Sequence, residues 1–234
     1  MISMQKLIDF RRRMYFYFRN SLYLSKYRNK MNYLEFKNKF FDIGCFNTHQ
    51  VYAWNPGFQG NNLTRWTKQR LLTKLRRGYY AFPEYLDQRD FSLYISNRIY
   101  KPSYISLHTA LAFYGMIPEA VVQITAVSSL KTAEFENEFG TYTYKKMRED
   151  LIFGYELLPF GDRSIQFATP EKALLDLLYL YPFYNTHEEM EELRLDEDYM
   201  QYDLNTERLT EYAGTFGSKA LNNRVKIMMK TYGL

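Results

Sequence analysis

Asn61, Asn62, Arg65 and Lys68 lie within one short stretch, with Gln59 just ahead of them. Amide and guanidinium groups of this kind bond to base edges in the DNA major groove, Arg pairing with guanine and Asn with adenine, while Lys meets phosphate. A second basic pair, Arg76-Arg77, stands immediately before Gly78. At the tip of a hairpin such a pair meets the phosphate backbone, which positions a protein on DNA without reading its sequence. Spacing alone fits an ordinary solvated surface equally well, and the order of the surrounding elements is what favours DNA.

Other reactive residue types lack company. Cys45 precedes a helix with no activating neighbour and reads as a small buried residue rather than a nucleophile. His49, His108 and His187 are scattered without metal-ligand spacing. Glu171 and Asp176 do not share a helix face, so a paired-carboxylate acid/base site is not expected. Glu171 has a sufficient structural role near a helix start, and Asp176, set in an apolar helix, needs a partner if it is buried. The run Glu188-Glu189-Met190-Glu191-Glu192 reads as a solvated helix face, with docking of a basic partner as the other reading. No Gly-rich phosphate loop is present. No catalysis, metal or cofactor is expected.

The elements that must position these groups follow from caps and periodicity. Asn32 caps a helix over 33–41 that turns Phe36, Phe40 and Phe41 inward, and Gly44 stands behind its end. Asn47 or Thr48 caps a helix through Trp54, and Asn55-Pro56-Gly57 breaks the chain. A third helix, about 60–69, buries Leu63 and Trp66 and leaves Asn61, Asn62, Arg65 and Lys68 on its other sides. Two short strands, 71–75 and 79–82, then flank the Arg76-Arg77-Gly78 turn. Helix, helix, helix, hairpin is the order of a winged helix-turn-helix. Beyond Pro83 a connector helix is expected over 87–100, then a helix over 106–114 and strands at 121–127, 140–144, 152–157 and 164–168, with a turn at 159–162 between the last two. Thr169 caps a helix with Pro170 at its first position, and Asn205 and Ser218 cap two terminal helices.

Charge divides along the chain. Residues 1–100 carry 18 Lys+Arg against 6 Asp+Glu, and residues 101–234 carry 13 against 20, so that +12 and −7 sum to the net +5. A basic end concentrates polyanions, and an acidic end turns toward a different partner. The single cysteine permits no internal disulfide, and cytoplasm is the expected compartment. The longest apolar stretch, 104–127, is interrupted by polar residues and is no membrane span. Residues 1–30 supply +7 of the basic excess and include Arg11-Arg12-Arg13. They read as a basic extension, either an amphipathic helix or sequence upstream of a translation start at Met31.

Long motifs then carry a resemblance. Phe40-Phe41-Asp42-Ile43-Gly44-Cys45-Phe46, Gln50-Val51-Tyr52-Ala53-Trp54, Leu63-Thr64-Arg65-Trp66 and Leu75-Arg76-Arg77-Gly78-Tyr79-Tyr80-Ala81-Phe82-Pro83 resemble the AbiEi family of antitoxins from bacterial type IV toxin-antitoxin systems. Ser103-Tyr104-Ile105-Ser106, Ala110-Leu111-Ala112-Phe113-Tyr114-Gly115-Met116-Ile117-Pro118-Glu119 and Thr169-Pro170-Glu171-Lys172-Ala173-Leu174-Leu175-Asp176 are similar to its antitoxin region. The resemblance covers residues 31–234. It implies an N-terminal domain that represses its own operon at inverted repeats in operator DNA, and a C-terminal domain that neutralises a nucleotidyltransferase-like toxin, without a stable complex in part of the family. It marks Thr169, Glu171, Lys172 and Asp176 as antitoxin-domain motif residues. Gln69-Arg70 departs from the pattern, standing where a glycine is expected near the end of the recognition helix.

The expected architecture is therefore α+β: a winged helix-turn-helix over 31–83, a connector helix over 84–102 and a mixed α+β domain with a helical C-terminus over 103–234. The expected function is phage-defence autorepression joined to antitoxin activity, on surfaces separable by mutation. Two alternatives remain. One is a stand-alone regulator whose second domain dimerises or senses a ligand; the other is an enzyme housed in residues 103–234, which a deep pocket lined by perturbed carboxylates would favour.

Overall fold

The computed structural model describes residues 32–119 and 121–234, and what was expected of residues 1–30 lies outside the described residues. The protein is mixed α+β with a helical C-terminal end. It divides into two units: one runs to Thr73 and regains Tyr80–Pro83, and the other comprises Lys74–Tyr79 and Glu84–Leu234.

In the first unit, local capping fixes the helices. The Asn32 side chain accepts from the Leu34 N–H at 3.0 Å and starts α1 (Tyr33–Phe40). Strand β1 (Cys45–Asn47) leads directly into α2 (Thr48–Trp54), where Asn47 and Gln50 satisfy each other's backbone N–H groups in a capping box. Helix α3 (Asn61–Lys68) follows the Pro56-Gly57 break. Their inner faces converge on Phe36, whose ring centroid lies 4.7 Å from Trp66, 4.8 Å from Phe40 and 5.4 Å from Phe46. Each such buried ring contributes about 1.5–3 kcal/mol through removal from water. A hairpin of β2 (Thr73–Arg76) and β3 (Tyr79–Ala81) completes a three-stranded sheet of order β1-β3-β2. Gly78, at φ 79°, supplies the left-handed backbone of its turn.

In the second unit, α4 (Phe91–Ile99) is the helix expected as a connector. It is packed as part of this body, with Phe91, Tyr94, Ile95, Ser96, Asn97 and Ile99 all buried. It lies on a six-stranded mixed sheet of β4 (Ser103–Ile105), β5 (Ile124–Ser128), β6 (Ala133–Asn137), β7 (Gly140–Lys146), β8 (Tyr155–Phe160) and β9 (Arg163–Ala168), in the order β6-β7-β5-β4-β9-β8. Pairs β5–β7 and β4–β9 are parallel, and the remaining neighbours are antiparallel. Two expectations are corrected here. Pro159, expected in a turn, sits in β8 opposite Ser164; β8 is an edge strand, where a missing N–H costs no ladder bond. The strand expected at 152–157 begins only at Tyr155, after Gly154 in a left-handed turn (φ 68°).

Helix α5 (Leu107–Phe113) and α6 (Pro170–Leu180) pack together; α7 (His187–Glu191) is followed by α8 (Thr206–Phe216) and α9 (Lys219–Thr231), which both pack on α6, while α7 packs on α9. Among the described residues, no helix is long and apolar enough to cross a membrane.

Candidate functional site

Helix α3 is strongly two-sided. Leu63 and Trp66 are buried, while Asn61, Thr64, Arg65 and Lys68 are exposed, with Gln59 exposed ahead and Gln69 and Arg70 exposed behind. Asn62 corrects an expectation. It was expected on the open side and is 7% exposed, its Nδ2 without a hydrogen-bond partner among the described residues. Asn62 stands four residues before Trp66 and next to Leu63, so the helical period places it beside these anchors on the inward face rather than opposite them.

The end of α3 explains the missing glycine. Arg70 adopts φ 57°, the left-handed conformation that glycine takes most cheaply, while the Leu71 N–H reaches back to the Trp66 carbonyl at 2.9 Å. A cation therefore occupies the position of the helix terminus where carbonyl dipoles accumulate and where positive charge is favoured. Thr64, Gln69 and Arg70 extend the polar face beyond the residues read from the sequence.

Arg76 and Arg77 are adjacent and differ. In the second unit, the Arg76 guanidinium lies 4.8 Å from the Tyr79 ring centre, 5.0 Å from Phe135 and 5.6 Å from Tyr100. Its Nε is buried without a hydrogen-bond partner among the described residues, so its charge is held by aromatic faces. In the same body, the Asn137 side chain donates to the Leu75 carbonyl at 3.2 Å. Arg77 is exposed.

The motif at the start of α6 is buried throughout. Thr169 caps the helix by accepting from the Lys172 N–H at 3.3 Å. Glu171, 2% exposed, accepts from the Asn205 N–H at 3.1 Å and lies 3.6 Å from the Arg208 guanidinium, thereby holding the start of α8. One turn on, the Lys172 ammonium pairs with Asp176, both side chains being fully inaccessible. The Tyr104 hydroxyl accepts from Lys172 at 2.7 Å and donates to Asp176 at 2.8 Å, and the Ser106 hydroxyl donates to the same carboxylate at 2.8 Å. Phe153 and Phe216 present ring faces to the ammonium at 4.8 Å and 4.9 Å. Leu107 follows Ser106 at φ 59°, a strained conformation for a branched residue. Ser106 makes no capping bond to α5, and its hydroxyl serves Asp176 instead. Gly154 completes the enclosure: a Cβ there would meet Tyr212 at 2.9 Å and the Lys172 stem at 3.1 Å.

Electrostatically, burial dominates this cluster. It raises Asp176 above the ordinary carboxylate value, against the opposing pull of Lys172, Tyr104 and Ser106, and it lowers Lys172 against the pull of Asp176. Burial, followed by the Asp176 charge, drives Tyr104 well above its ordinary value. The cluster is a closed clamp joining β4, α6 and the turn at Gly154, and it offers a partner no surface.

An open cavity of about 630 Å³ in the second unit is lined by His108, Leu111, Glu119, Thr125, Tyr184 and Glu192 among others. Burial holds the His108 imidazole below its usual value, with Glu119 opposing. Burial and then Glu192 raise the Tyr184 hydroxyl. Glu188, Glu191 and Glu192 of the acidic run are exposed around the buried Met190. Among the described residues, no group of three or more His, Cys, Asp or Glu could hold a metal ion. Neither protein-family models nor curated proteins give a match to this chain.

Proposed function

We propose that the chain is a DNA-binding autorepressor and antitoxin of the AbiEi type. In this reading, the first three helices and the hairpin are a winged helix-turn-helix: α3 reads base edges with Asn61, Arg65 and Lys68, and Arg77 meets phosphate. The observation that carries it is the two-sided α3, an aromatic-anchored helix whose whole open face is amide, hydroxyl or cationic. Asn62 and Arg76 take structural roles, since one is buried and the other is stacked among rings. Thr169, Glu171, Lys172 and Asp176 shape the second unit without touching a toxin, so neutralisation falls to exposed residues around them.

Full-length chain titrated onto labelled duplex from its own promoter tests the DNA half. Affinity falling linearly with salt on a logarithmic scale, and exceeding that for a scrambled duplex, supports it; equal affinity for both duplexes counts against an operator. Growth rescue on co-expression with an adjacent nucleotidyltransferase-like gene tests the other half. The 630 Å³ cavity favours a second reading, a regulator whose second unit senses a small molecule. A regulator of that kind binds the promoter and rescues nothing.

A further inference from the structure

A second, smaller cleft of about 300 Å³ lies in the second unit where the end of α4 meets β8 and β9. Asn97, Arg98, Lys101, Ser164 and Gln166 line it, with Leu157 contributing an apolar wall. None of its described lining residues is acidic, in a region whose sequence carries an excess of carboxylates. Asn97 is the informative member. It is 4% exposed, and its Oδ1 accepts from the Gln166 backbone N–H at 2.5 Å. That bond fixes which end of the amide is oxygen, because only an acceptor can meet an N–H. Among the described residues the Nδ2 is thus a buried donor with no partner, and a buried unmet donor is costly enough to ask for an explanation.

We infer that this cleft binds a small phosphate-bearing anion, with the Asn97 amide donating from its floor and Arg98 and Lys101 balancing the charge. A phosphate group presents several strong acceptors and close to two negative charges, which matches an amide donor, a hydroxyl at Ser164 and two cations. The site is independent of α3 and of the DNA reading.

The test titrates full-length chain with inorganic phosphate at constant ionic strength, following phosphorus NMR line width and melting temperature. Saturable binding that raises the melting temperature is expected. Asn97→Asp keeps the acceptor for Gln166 and replaces the donor by a like charge, so binding weakens by at least about tenfold. Lys101→Gln, at an exposed side chain, provides the second variant in case the first fails to fold, and it weakens phosphate binding. Phosphate binding that is absent, or equal in parent and both variants, overturns the proposal. A nucleoside monophosphate binding more tightly than phosphate assigns the group to a metabolite, and equal binding assigns it to free phosphate; either outcome supports the site. Displacement of phosphate by duplex DNA but by no mononucleotide gives the cleft to a nucleic-acid backbone and overturns the small-anion assignment.

Discussion

Removing one partner from the Lys172–Asp176 clamp should be far worse than removing both. Asp176→Ala strands an ammonium in an inaccessible site and leaves the Tyr104 and Ser106 hydroxyls without their shared acceptor. Breaking a buried pair in this way costs about 3–5 kcal/mol, a large part of the roughly 5–15 kcal/mol that keeps a domain folded. In a chain of this size that lowers the melting temperature by about 6–20 °C. Lys172→Met strands the carboxylate and should cost a similar amount. The double substitution Lys172→Met with Asp176→Leu removes both charges and leaves only hydroxyls to be met, so it should cost about 1–3 kcal/mol, less than either single change. The pH dependence follows from the two directions of shift. Asp176 is raised, so the folded chain holds that proton better than the unfolded chain does, and acidification toward the unfolded carboxylate value of 3.8 favours the fold at this residue. Lys172 is lowered, so raising pH toward its unfolded value of 10.5 favours the fold there too. The pair therefore contributes least near neutrality, where the double variant should compare best with the parent. Denaturant unfolding of the four proteins across pH measures all of this. A double variant as unstable as the sum of the single changes would refute the clamp.

Arg70→Gly should relieve the left-handed strain and stabilise the fold by about 0.5–1 kcal/mol after the greater freedom of glycine in the unfolded chain is subtracted, while weakening DNA binding and lowering its salt slope by about one; calorimetry and anisotropy measure the two effects, and a loss of stability would contradict the strain. Arg77→Ala should weaken binding to all duplexes alike with an unchanged melting temperature, whereas Arg76→Ala should lower the melting temperature through lost ring contacts. Identical behaviour of the two variants would remove the distinction drawn between them. Because burial lowers His108, the folded chain resists its protonation, and stability declines as pH falls from 6.5 through the lower folded value. His108→Gln should flatten that decline in a series of melting curves, and parallel curves would exclude His108 as its source.

Sequence legibility followed the range of the interactions. Helix starts at Asn32, Asn47, Thr169, Asn205 and Ser218 were readable because a cap is satisfied within three residues. Strands β4 and β6 went unread: β4 is three residues long and owes its existence to partners distant in sequence, whereas β6 alternates Glu with its neighbours and pairs with β7 across a tight turn from Asn137 to Gly140. The clamp was half visible. Asp176 announces its need for a partner in an apolar helix, and Glu171, five positions away, is off its face, whereas Lys172 stands at the i,i+4 spacing that supplies the partner. Arg76 and Asn62 misled because residue type says nothing of which side a ring or a helix turn will close. Asn97 gave no signal, since an unmet donor exists only once Gln166 has taken the other end of its amide.

The chain's path through the hairpin bears on how such a protein is inherited. Lys74–Tyr79 count with the second unit, although the residues before them and Tyr80–Pro83 after them count with the first. A recombination joint at Pro83, where the two halves look divisible on paper, would carry Leu75 away from Asn137 and Arg76 away from Phe135. The acquired half would then lack side chains its new body was built around. Lineages of this protein should consequently exchange the two halves rarely and pass them on as a single heritable block, with new DNA specificities arising by point changes on α3 instead of by swapping modules.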